Sequence, residues 1–277
     1  MKKIVFIADF FKEELPGGGE SNDDNLIHHL RSKYKVETTK ANKVSISMLD
    51  KADTIIIGNF ISLAEGIKQH LLENKNYIIY EHDHKYVKTR DPSKYSGFII
   101  PEDKLVNKKF YESAKATVVL SEICKEIIGK NLPKVNVHNI GCSLWSTDTF
   151  DLLTKECGEK KTKDLCILKS ENPTKNYHNT VEFCNLKSLK FEAIGERNHH
   201  KFLRVMSGFE RILFIPTVLE TFSRLCAEAK MLNLEVMTNK KMIGFFSEEY
   251  SKLSGLKLIN ELKIRNKRAL NFFESVI

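Results

Sequence analysis

The stretch that decides the fold reads FIPTVLETFSRLCAEA and covers residues 214–229 of this 277-residue chain. An apolar run ends at Pro216, a loop carries Glu220, and the apolar periodicity predicts a helix from Phe222 onward. Glu228 lies two turns into that helix, eight positions after Glu220. This order is typical of a parallel α/β sheet, in which ligands bind at the carboxyl ends of the strands. We therefore predict that both carboxylates face one cleft, with the helix start presenting N–H groups to an anion.

The same alternation of short β-branched runs and helical stretches continues along the rest of the chain. Two series of such runs, before residue 141 and after residue 164, predict two parallel sheets with crossover helices. Residues 147–163 are rich in lysine and poor in apolar side chains, which is typical of an exposed linker. We predict a first Rossmann-like domain over residues 1–147, a linker over 148–163, a second domain over 164–256, and a final helix over 257–277 that packs back toward the first domain. Two domains joined in this way imply a cleft between them.

Composition excludes several classes of protein. Hydrophobic residues make up 42% and charged residues 29% of the chain, which is a globular balance. No apolar run approaches the roughly 20 residues of a membrane-spanning helix, so we expect no integral membrane insertion. The six cysteines include no close pair, and the first apolar run, IVFIA, lacks the cleavage site of a signal peptide. We therefore expect a reducing compartment, the cytoplasm.

The net charge of +8 and the pI of about 9.0 admit two interpretations. Most of the excess lies after residue 150, which would suit a polyanionic ligand in the second domain. A lysine-rich solvated surface has the same composition, and charge alone favours it. Nothing in the sequence indicates an oligomeric state.

Two further loops carry candidate ligand-binding residues. The loop after the first strand of the second domain contains Lys169 and, further on, Lys175 followed by Asn176. The loop after the first strand of the chain contains three glycines at 17–19, which would let the backbone approach a ligand closely. These glycines lack the G-x-G-x-x-G spacing of a dinucleotide fingerprint, and a plain flexible turn remains an alternative.

The segment YEHDHKY, residues 80–86, ends a predicted buried strand of the first domain. Ionisable side chains directly after a buried run are candidates for perturbed protonation and for a functional site. Neighbouring residues of a strand point to opposite faces, so the histidines and carboxylates converge poorly and we predict no metal site. Tyr86 is a candidate for stacking on a nucleic-acid base.

The Glu-x7-Glu spacing after a strand and a proline resembles the donor domain of retaining glycosyltransferases, family four in particular. The resemblance implies an α/β fold of GT-B architecture, two Rossmann-like domains with parallel sheets and an interdomain cleft. It implies that Glu220 contacts the donor sugar and Glu228 the nucleotide ribose. The backbone of Phe222, Ser223 and Arg224 would line the donor phosphates. The family often has a glycine after the phenylalanine, where this chain has Ser223.

The resemblance extends to both loops described above. The family holds the pyrophosphate with an arginine followed by Lys-Gly or Lys-Asn, which implies donor-binding roles for Lys169 and Lys175. In GT-B enzymes a glycine-rich loop borders the donor diphosphate and the acceptor, which implies donor contacts for Gly17, Gly18 and Gly19.

The letters EHDH at 81–84 are similar to the Gln-His-Asp-His element of the DNA α-glucosyltransferases of T-even phages, also retaining GT-B enzymes. This likeness implies that His82 and Asp83 contact the donor sugar or the reacting centre. With Glu220, they would form the catalytic group. The acceptor-binding residues would be Lys85, Tyr86 and Arg90.

The resemblances imply an enzyme that moves a sugar, a hexose or a pentose, from a nucleoside diphosphate sugar to a hydroxyl acceptor with retention at the anomeric carbon. We expect UDP as the nucleotide. No metal and no further cofactor would be needed if basic residues and a helix start stabilise the leaving diphosphate.

The acceptor is less well defined than the donor. Duplex DNA with hydroxymethylated pyrimidines is one candidate, in which case the protein would be phage-encoded and act in the host cytoplasm. The nearly neutral net charge of the first half of the chain argues against a duplex DNA acceptor, because duplex binding depends on neutralisation of the phosphates. A glycan or lipid-linked cell-surface acceptor is the alternative. A non-catalytic nucleotide-sugar or nucleic-acid binding protein and a nucleotide-sugar epimerase also remain open.

Overall fold

Two parallel β-sheets organise the chain in this computed structural model, which describes residues 1–74 and 76–277. The chain divides into two units, Met1–Leu144 with Arg265–Ile277, and Trp145–Ile264. Within the described residues, the strands pair in parallel throughout each sheet. The predicted α/β fold with two parallel sheets is therefore confirmed.

The first unit alternates strands and helices. Over the residues described, its sheet has six strands in the order β2-β1-β3-β4-β5-β6. The elements that precede residue 145 are β1 (Lys3–Ala8), α1 (Gly18–Arg31), β2 (Lys35–Lys40), α2 (Ile46–Leu49), β3 (Thr54–Ile57), α3 (Glu65–Asn74), β4 (Tyr77–Tyr80), α4 (Lys108–Ser113), β5 (Ala116–Val119), α5 (Glu122–Asn131) and β6 (Val137–Asn139).

The second unit repeats the alternation around a smaller sheet. Its described strands follow the order β10-β9-β7-β8. The elements are α6 (Thr147–Glu156), β7 (Lys163–Leu168), α7 (Tyr177–Leu186), β8 (Glu192–Ile194), α8 (His199–Ser207), β9 (Phe209–Leu213), α9 (Arg224–Met231), β10 (Glu235–Met237) and α10 (Gly255–Val276), of which residues 265–276 belong to the first unit.

β1 belongs to the core of the first unit and lies between β2 and β3 in its sheet. Its residues from Ile4 to Ala8 are fully buried, as expected for a strand of a parallel sheet that is covered on both faces. β1 pairs with β2 on one side and β3 on the other, so that Ile4 lies opposite Val36 and Thr54. The continuous apolar run therefore marks an interior strand of the sheet, and the polar residues after each parallel strand lie at the carboxyl edge of the sheet.

The last residues of the chain complete the core of the first unit. The ring of Phe273 packs edge-on against Tyr80 with 4.9 Å between centroids. The backbone carbonyl of Ile277 accepts a hydrogen bond from Thr54 Oγ1 at 3.1 Å. Glu274 Oε1 pairs with His29 Nε2 at 2.6 Å.

The prediction of an exposed linker over 148–163 is wrong, because α6 occupies most of it. Ser146 Oγ accepts a hydrogen bond from Thr149 N, which caps the helix, and Phe150 and Leu153 are buried. One of the lysines that suggested a linker has a structural role. Lys161 Nζ donates to the carbonyl oxygens of Ser207 and Leu232, each at 2.6 Å, where α8 and α9 end.

The helix of the decisive stretch begins at Arg224 instead of Phe222. Within residues 1–74 and 76–277, no helix combines the length and the apolar character that crossing a bilayer requires.

Replacing Ser146 with alanine should lower the free energy of unfolding by about 1 kcal/mol, because the N-terminal N–H groups of α6 lose their cap. Chemical denaturation measures this change. Ser45→Ala is the matched control, since Ser45 precedes α2 without a side-chain cap, and we expect a change below about 0.5 kcal/mol. Equal effects of the two substitutions would contradict the assigned cap.

Candidate functional site

Lys175 and Glu220 form an ion pair in the second unit, with Lys175 Nζ 2.7 Å from Glu220 Oε1. Their side chains are 30% and 12% exposed. Lys175 lies in the loop after β7 and Glu220 in the loop after β9, which is the neighbouring strand. The structure thus brings together two of the residues that the sequence predicted to share a site, at the carboxyl edge of a parallel sheet.

Local hydrogen bonds position Lys175. Asn172 Oδ1 accepts from Thr174 N at 3.0 Å and caps a short 3-10 helix, Pro173–Lys175. Asn176 then adopts a left-handed conformation with φ of 58°, which asparagine tolerates better than most residues. Its Nδ2 donates to the carbonyl of Ile215 at 2.9 Å, so the β7 loop is fastened to the end of β9. The side chain of Lys169, by contrast, is exposed at the start of this loop.

The backbone of Glu220 is held by a segment that follows β10. Glu220 N donates to Met242 O at 2.9 Å, and Gly244 N donates to Glu220 O at 2.8 Å. Glu220 and Ile243 form an isolated parallel bridge. These main-chain contacts therefore fix the position of Glu220 in its loop without a bound ligand.

Ser223 lies at the turn between this loop and α9 and has φ of 70°. Glycine adopts such a left-handed conformation freely, whereas other residues are strained in it. The structure therefore explains why glycine suits the position after Phe222. The side chain of Ser223 makes no capping hydrogen bond to the first turn of α9.

Phe222 is buried, so it can offer a ligand only its backbone. Its ring lies 5.6 Å from that of Phe245 and 6.1 Å from that of Trp145, centroid to centroid. Its carbonyl accepts a hydrogen bond from Phe245 N at 2.8 Å.

Glu228 is buried inside α9 and collects several donors on one oxygen. Its Oε1 accepts from Trp145 Nε1 at 2.8 Å and from His199 Nε2 at 3.0 Å, and it lies 3.3 Å from Arg224 Nη2. The guanidinium of Arg224 also stacks on the ring of Trp145, 4.8 Å from its centroid. Burial by itself would raise the pKa of Glu228, but His199, Arg224 and Trp145 outweigh it and lower the pKa to about 2.

Glu220 and Glu228 make different ion pairs in the second unit. Glu220 pairs with Lys175, while Glu228 pairs with Arg224, His199 and Trp145. Trp145 and His199 were not among the residues predicted for this site. The available signal for His199 was its place at the start of a helix, just after a strand-end loop.

In the first unit, His82 and Asp23 form a buried pair, with His82 Nε2 2.8 Å from Asp23 Oδ1. Asp23 belongs to α1, and His82 follows β4. A methyl group added at Gly19 would lie 3.3 Å from His82 Cγ, and one added at Gly58 would lie 2.5 Å from Asp23 Oδ2. Two glycines therefore make room for this pair.

The glycines at 17–19 form the start of α1 and not a free loop. Gly17 is its N-cap, and Gly18 and Gly19 are its first residues. The carboxylate of Glu20 fills the space beside Gly17, and the ring of His82 lies against Gly19. Burial raises the pKa of Glu20. The nearest neighbours of these glycines are thus side chains of their own unit, and the predicted donor contact stays a prediction.

Asp83 is held by two cations. Lys85 Nζ lies 2.9 Å from Asp83 Oδ1, and Arg90 Nη1 lies 3.0 Å from Asp83 Oδ2. Lys85 Nζ also pairs with Glu81 Oε1 at 2.8 Å, and Tyr111 Oη donates to the other oxygen of Glu81. Burial opposes the charge on Lys85, but Asp83 and Glu81 outweigh it and raise the pKa of the ammonium.

Lys85 and Tyr86 are both buried, so neither has the surface position that its predicted acceptor contact requires. The ammonium of Lys85 is enclosed by Glu81 and Asp83, and the hydroxyl of Tyr86 lies 2.9 Å from His84 Nδ1 in the interior. Stacking of Tyr86 on a base is excluded in this structure, because its ring is fully buried. Arg90 is 52% exposed and remains available to a ligand.

Among the residues that the structure describes, no group of histidine, cysteine, aspartate and glutamate side chains is arranged to hold a metal ion.

Comparisons with known proteins bear on the fold. No protein-family model matches the chain, and no curated protein matches it. A glycosyltransferase from Rickettsia africae ESF-5 matches with a TM-score of 0.56 and 13% identity over 99% of this chain and 98% of that one. Alr3699/HepE from Anabaena, in complex with UDP, matches with a TM-score of 0.56 and 12% identity over 99% and 100%.

A third similar structure is an α-glucosyltransferase in complex with UDP-glucose and DNA containing an abasic site. Its TM-score is 0.53 and its identity 11%, over 98% of this chain and 95% of that one. At these identities the likeness shows the fold. The chain has the GT-B fold of these glycosyltransferases, as the sequence predicted.

The carboxyl of Glu228 should make stability depend on pH below about 4.5, its ordinary pKa, because its folded pKa is about 2. Above that pH the stabilisation is complete. As the pH falls toward 2, the unfolded chain takes up a proton that the folded chain resists, so stability is lost. Thermal melting between pH 7 and pH 3 should therefore show a shallower acid decline for Glu228→Gln than for the wild type.

Glu171→Gln is the control, because Glu171 is an exposed glutamate of the same unit. Its acid decline should follow that of the wild type. If the curve of Glu228→Gln ran parallel to the wild-type curve, the assigned charge state of Glu228 would be wrong.

Proposed function

We propose that the protein is a retaining glycosyltransferase that transfers a sugar from a nucleoside diphosphate sugar, with UDP as the nucleotide, to a hydroxyl group. The observation that carries the proposal is the Lys175–Glu220 pair at the carboxyl edge of the second sheet, 2.7 Å from nitrogen to oxygen. An ammonium suits a diphosphate, and a carboxylate suits sugar hydroxyls, so the pair matches the two ends of a donor.

The surroundings of the pair support a role in binding the donor. α9 begins within four residues of Glu220, and the side chain at its N-cap leaves the first N–H groups to other acceptors. Lys169 lies at the entrance of the loop that carries Lys175. Backbone N–H groups near Phe222, Ser223 and Arg224 would then stabilise charge on the leaving diphosphate without a metal.

The similar structures support the choice of donor. Alr3699/HepE was crystallised with UDP and with UDP-glucose, and the α-glucosyltransferase with UDP-glucose. Glu228 would contact the ribose, with Trp145, His199 and Arg224 holding its carboxylate in place. Its low pKa of about 2 keeps the carboxylate ionised, which suits an acceptor of hydroxyl hydrogen bonds.

In the first unit, we propose that His82 and Asp83 serve the reacting centre. Asp23 holds the ring of His82, and Lys85 and Arg90 hold the carboxylate of Asp83. Groups with locked orientations are suited to catalysis, because little reorganisation is needed when charge develops. The glycines at 17–19 would contribute by bringing the start of α1 close to His82.

For the acceptor we propose duplex DNA with hydroxymethylated pyrimidines as one candidate, supported by the exposed guanidinium of Arg90 and by the DNA bound to the similar α-glucosyltransferase. A glycan or lipid-linked acceptor is the second. Filter binding at several salt concentrations separates them, because a protein that neutralises DNA phosphates binds duplex with a negative salt slope.

Lys175→Ala and Glu220→Gln should each reduce turnover by about ten- to a hundredfold, since one charge-assisted contact is worth roughly 1.5–3 kcal/mol. Turnover is measured as release of nucleotide from the sugar donor, with candidate acceptors present. Lys190→Ala, an exposed lysine of the same unit, is the control and should retain full activity. Unchanged turnover in a folded Lys175→Ala or Glu220→Gln protein would refute the role of that residue.

Thermal melting with nucleoside diphosphates and their sugars tests the donor directly. A ligand of the folded state raises the melting temperature, and at about 100 times its Kd it adds roughly 2.7 kcal/mol. We expect the largest shift with a UDP-sugar. Binding without consumption of the donor would indicate a non-catalytic binding protein, and conversion of the donor sugar without an acceptor would indicate an epimerase.

A further inference from the structure

A pocket of about 270 Å³ opens in the first unit beside Arg90. Among the described residues that line it, four carry a positive charge and none carries a negative one; the rest are apolar except for one asparagine. The lining residues include Ile61, Lys68, Lys85, Lys88, Arg90 and Asn107.

The frame of the pocket is built by two segments that pair with each other. Val106 N donates to Tyr86 O at 2.8 Å, and Lys88 N donates to Lys104 O at 2.9 Å. Asn107 follows with φ of 55°, and its Nδ2 donates to the carbonyl of Lys85 at 2.9 Å. The walls are therefore held by hydrogen bonds on both segments.

Lys68 of α3 supplies an ammonium that is poorly neutralised. Its side chain is only 14% exposed, whereas its carboxylate partner Glu65 is 87% exposed and 3.4 Å away. Asn107 Oδ1 accepts from Lys68 Nζ at 3.1 Å, and the ring centroid of Phe60 lies 6.0 Å from that nitrogen. Exposed ion pairs contribute little, and a charge this well buried is ordinarily matched by an equally buried partner.

The other cations of the pocket differ in how far they are neutralised. Lys85 is matched by Glu81 and Asp83 and needs no further anion. Arg90 uses Nη1 for Asp83, and a guanidinium has further N–H donors to offer. Lys88 is exposed at the rim. An anion in the pocket would thus be met by Lys68, Lys88 and Arg90.

The combination of charge and shape selects the class of anion. Several cations around one space suit a phosphate, which carries more charge and more acceptor oxygens than a carboxylate. The exposed apolar side chain of Ile61, which also lines the pocket, suits a carbon substituent on that phosphate. The volume lies below the roughly 300–1,000 Å³ of pockets for larger ligands, so one phosphate ester fits it better than a nucleic-acid duplex, which requires an extended row of cations.

We propose that this pocket binds a phosphate ester group of the acceptor, through Lys68, Lys88 and Arg90, with the carbon substituent against Ile61. The inference rests on the proposed function, since it identifies the acceptor as a phosphate ester. The phosphate could belong to an alkyl chain or to a sugar, and the experiment distinguishes these two sources.

Isothermal titration of the full-length protein tests the proposal, with and without saturating UDP. The probes are hexyl phosphate for an alkyl phosphate, glucose phosphate for a sugar phosphate, and hexanoate as the carboxylate control. We expect one of the phosphate esters to bind in the presence of UDP. Lys68→Gln and Arg90→Gln should each weaken that binding about tenfold or more, as loss of a charge-assisted contact does.

Lys134→Gln is the matched control, because it removes one exposed lysine of the same unit that does not line the pocket. It should bind the phosphate ester as the wild type does, and UDP should bind all of these variants equally. Arg90→Gln alters an exposed side chain and guards against misfolding of Lys68→Gln, which a thermal melt also checks.

The proposal is overturned if UDP binds and neither phosphate ester does, or if hexanoate binds as tightly as the esters. It is also overturned if Lys134→Gln weakens binding as much as Lys68→Gln, or if duplex DNA binds while the esters do not. If UDP does not bind, by contrast, the proposed function is contradicted. In that case, binding of a phosphate ester that depends on Lys68 still supports the pocket as a phosphate site.

Discussion

A carboxylate that is removed from water must be matched by donors, and this requirement organises both units of the protein. Glu81 is matched by Lys85, Asp23 by His82, and Glu228 by Trp145, His199 and Arg224. Leaving one of these charges unpaired would be strongly destabilising, by about 3–5 kcal/mol. Glu228 belongs to α9, Asp23 to α1 and Glu81 to the loop after β4. The partners His82 and Lys85 also follow β4, so they lie where that strand ends.

Such pairs contribute less to stability than well-packed apolar groups of the same volume would. Their effect is to orient side chains. The network from Arg90 through Asp83 and Lys85 to Glu81 gives each member a defined direction, and the last carboxylate is anchored by Tyr111. An arrangement of this kind is useful where a polar group has to face a ligand in a fixed orientation.

The sequence predicted the fold well because its signals are local. Buried strands such as β1 read as continuous apolar runs, and the alternation with helices implies parallel sheets. The meeting of Lys175 and Glu220 followed from the same rule, since the loops after neighbouring parallel strands lie side by side. Long-range pairs left no such trace: Trp145 and Glu228 are 83 residues apart, and neither position indicates the other.

The predictions that the structure contradicts also failed for physical reasons. The lysines of 148–163 suggested a linker, yet one of them, Lys161, bonds to two carbonyl oxygens. Lys85 was expected to contact the acceptor because of the likeness of its segment to the phage element, but two carboxylates on that segment allow it to be buried.

The ion pair between Lys175 and Glu220 has a consequence for selectivity among ligands. Any phosphate that takes the ammonium of Lys175 deprives Glu220 of its resident counter-charge, so the incoming molecule competes with a group already in place. A ligand with sugar hydroxyls donates hydrogen bonds to the carboxylate of Glu220 that has lost its ion pair, whereas a diphosphate without a sugar has no such donors. Under the proposed reaction, the nucleoside diphosphate product would therefore bind less tightly than the intact donor. Re-formation of the ion pair between Lys175 and Glu220 would favour release of that product after each turnover.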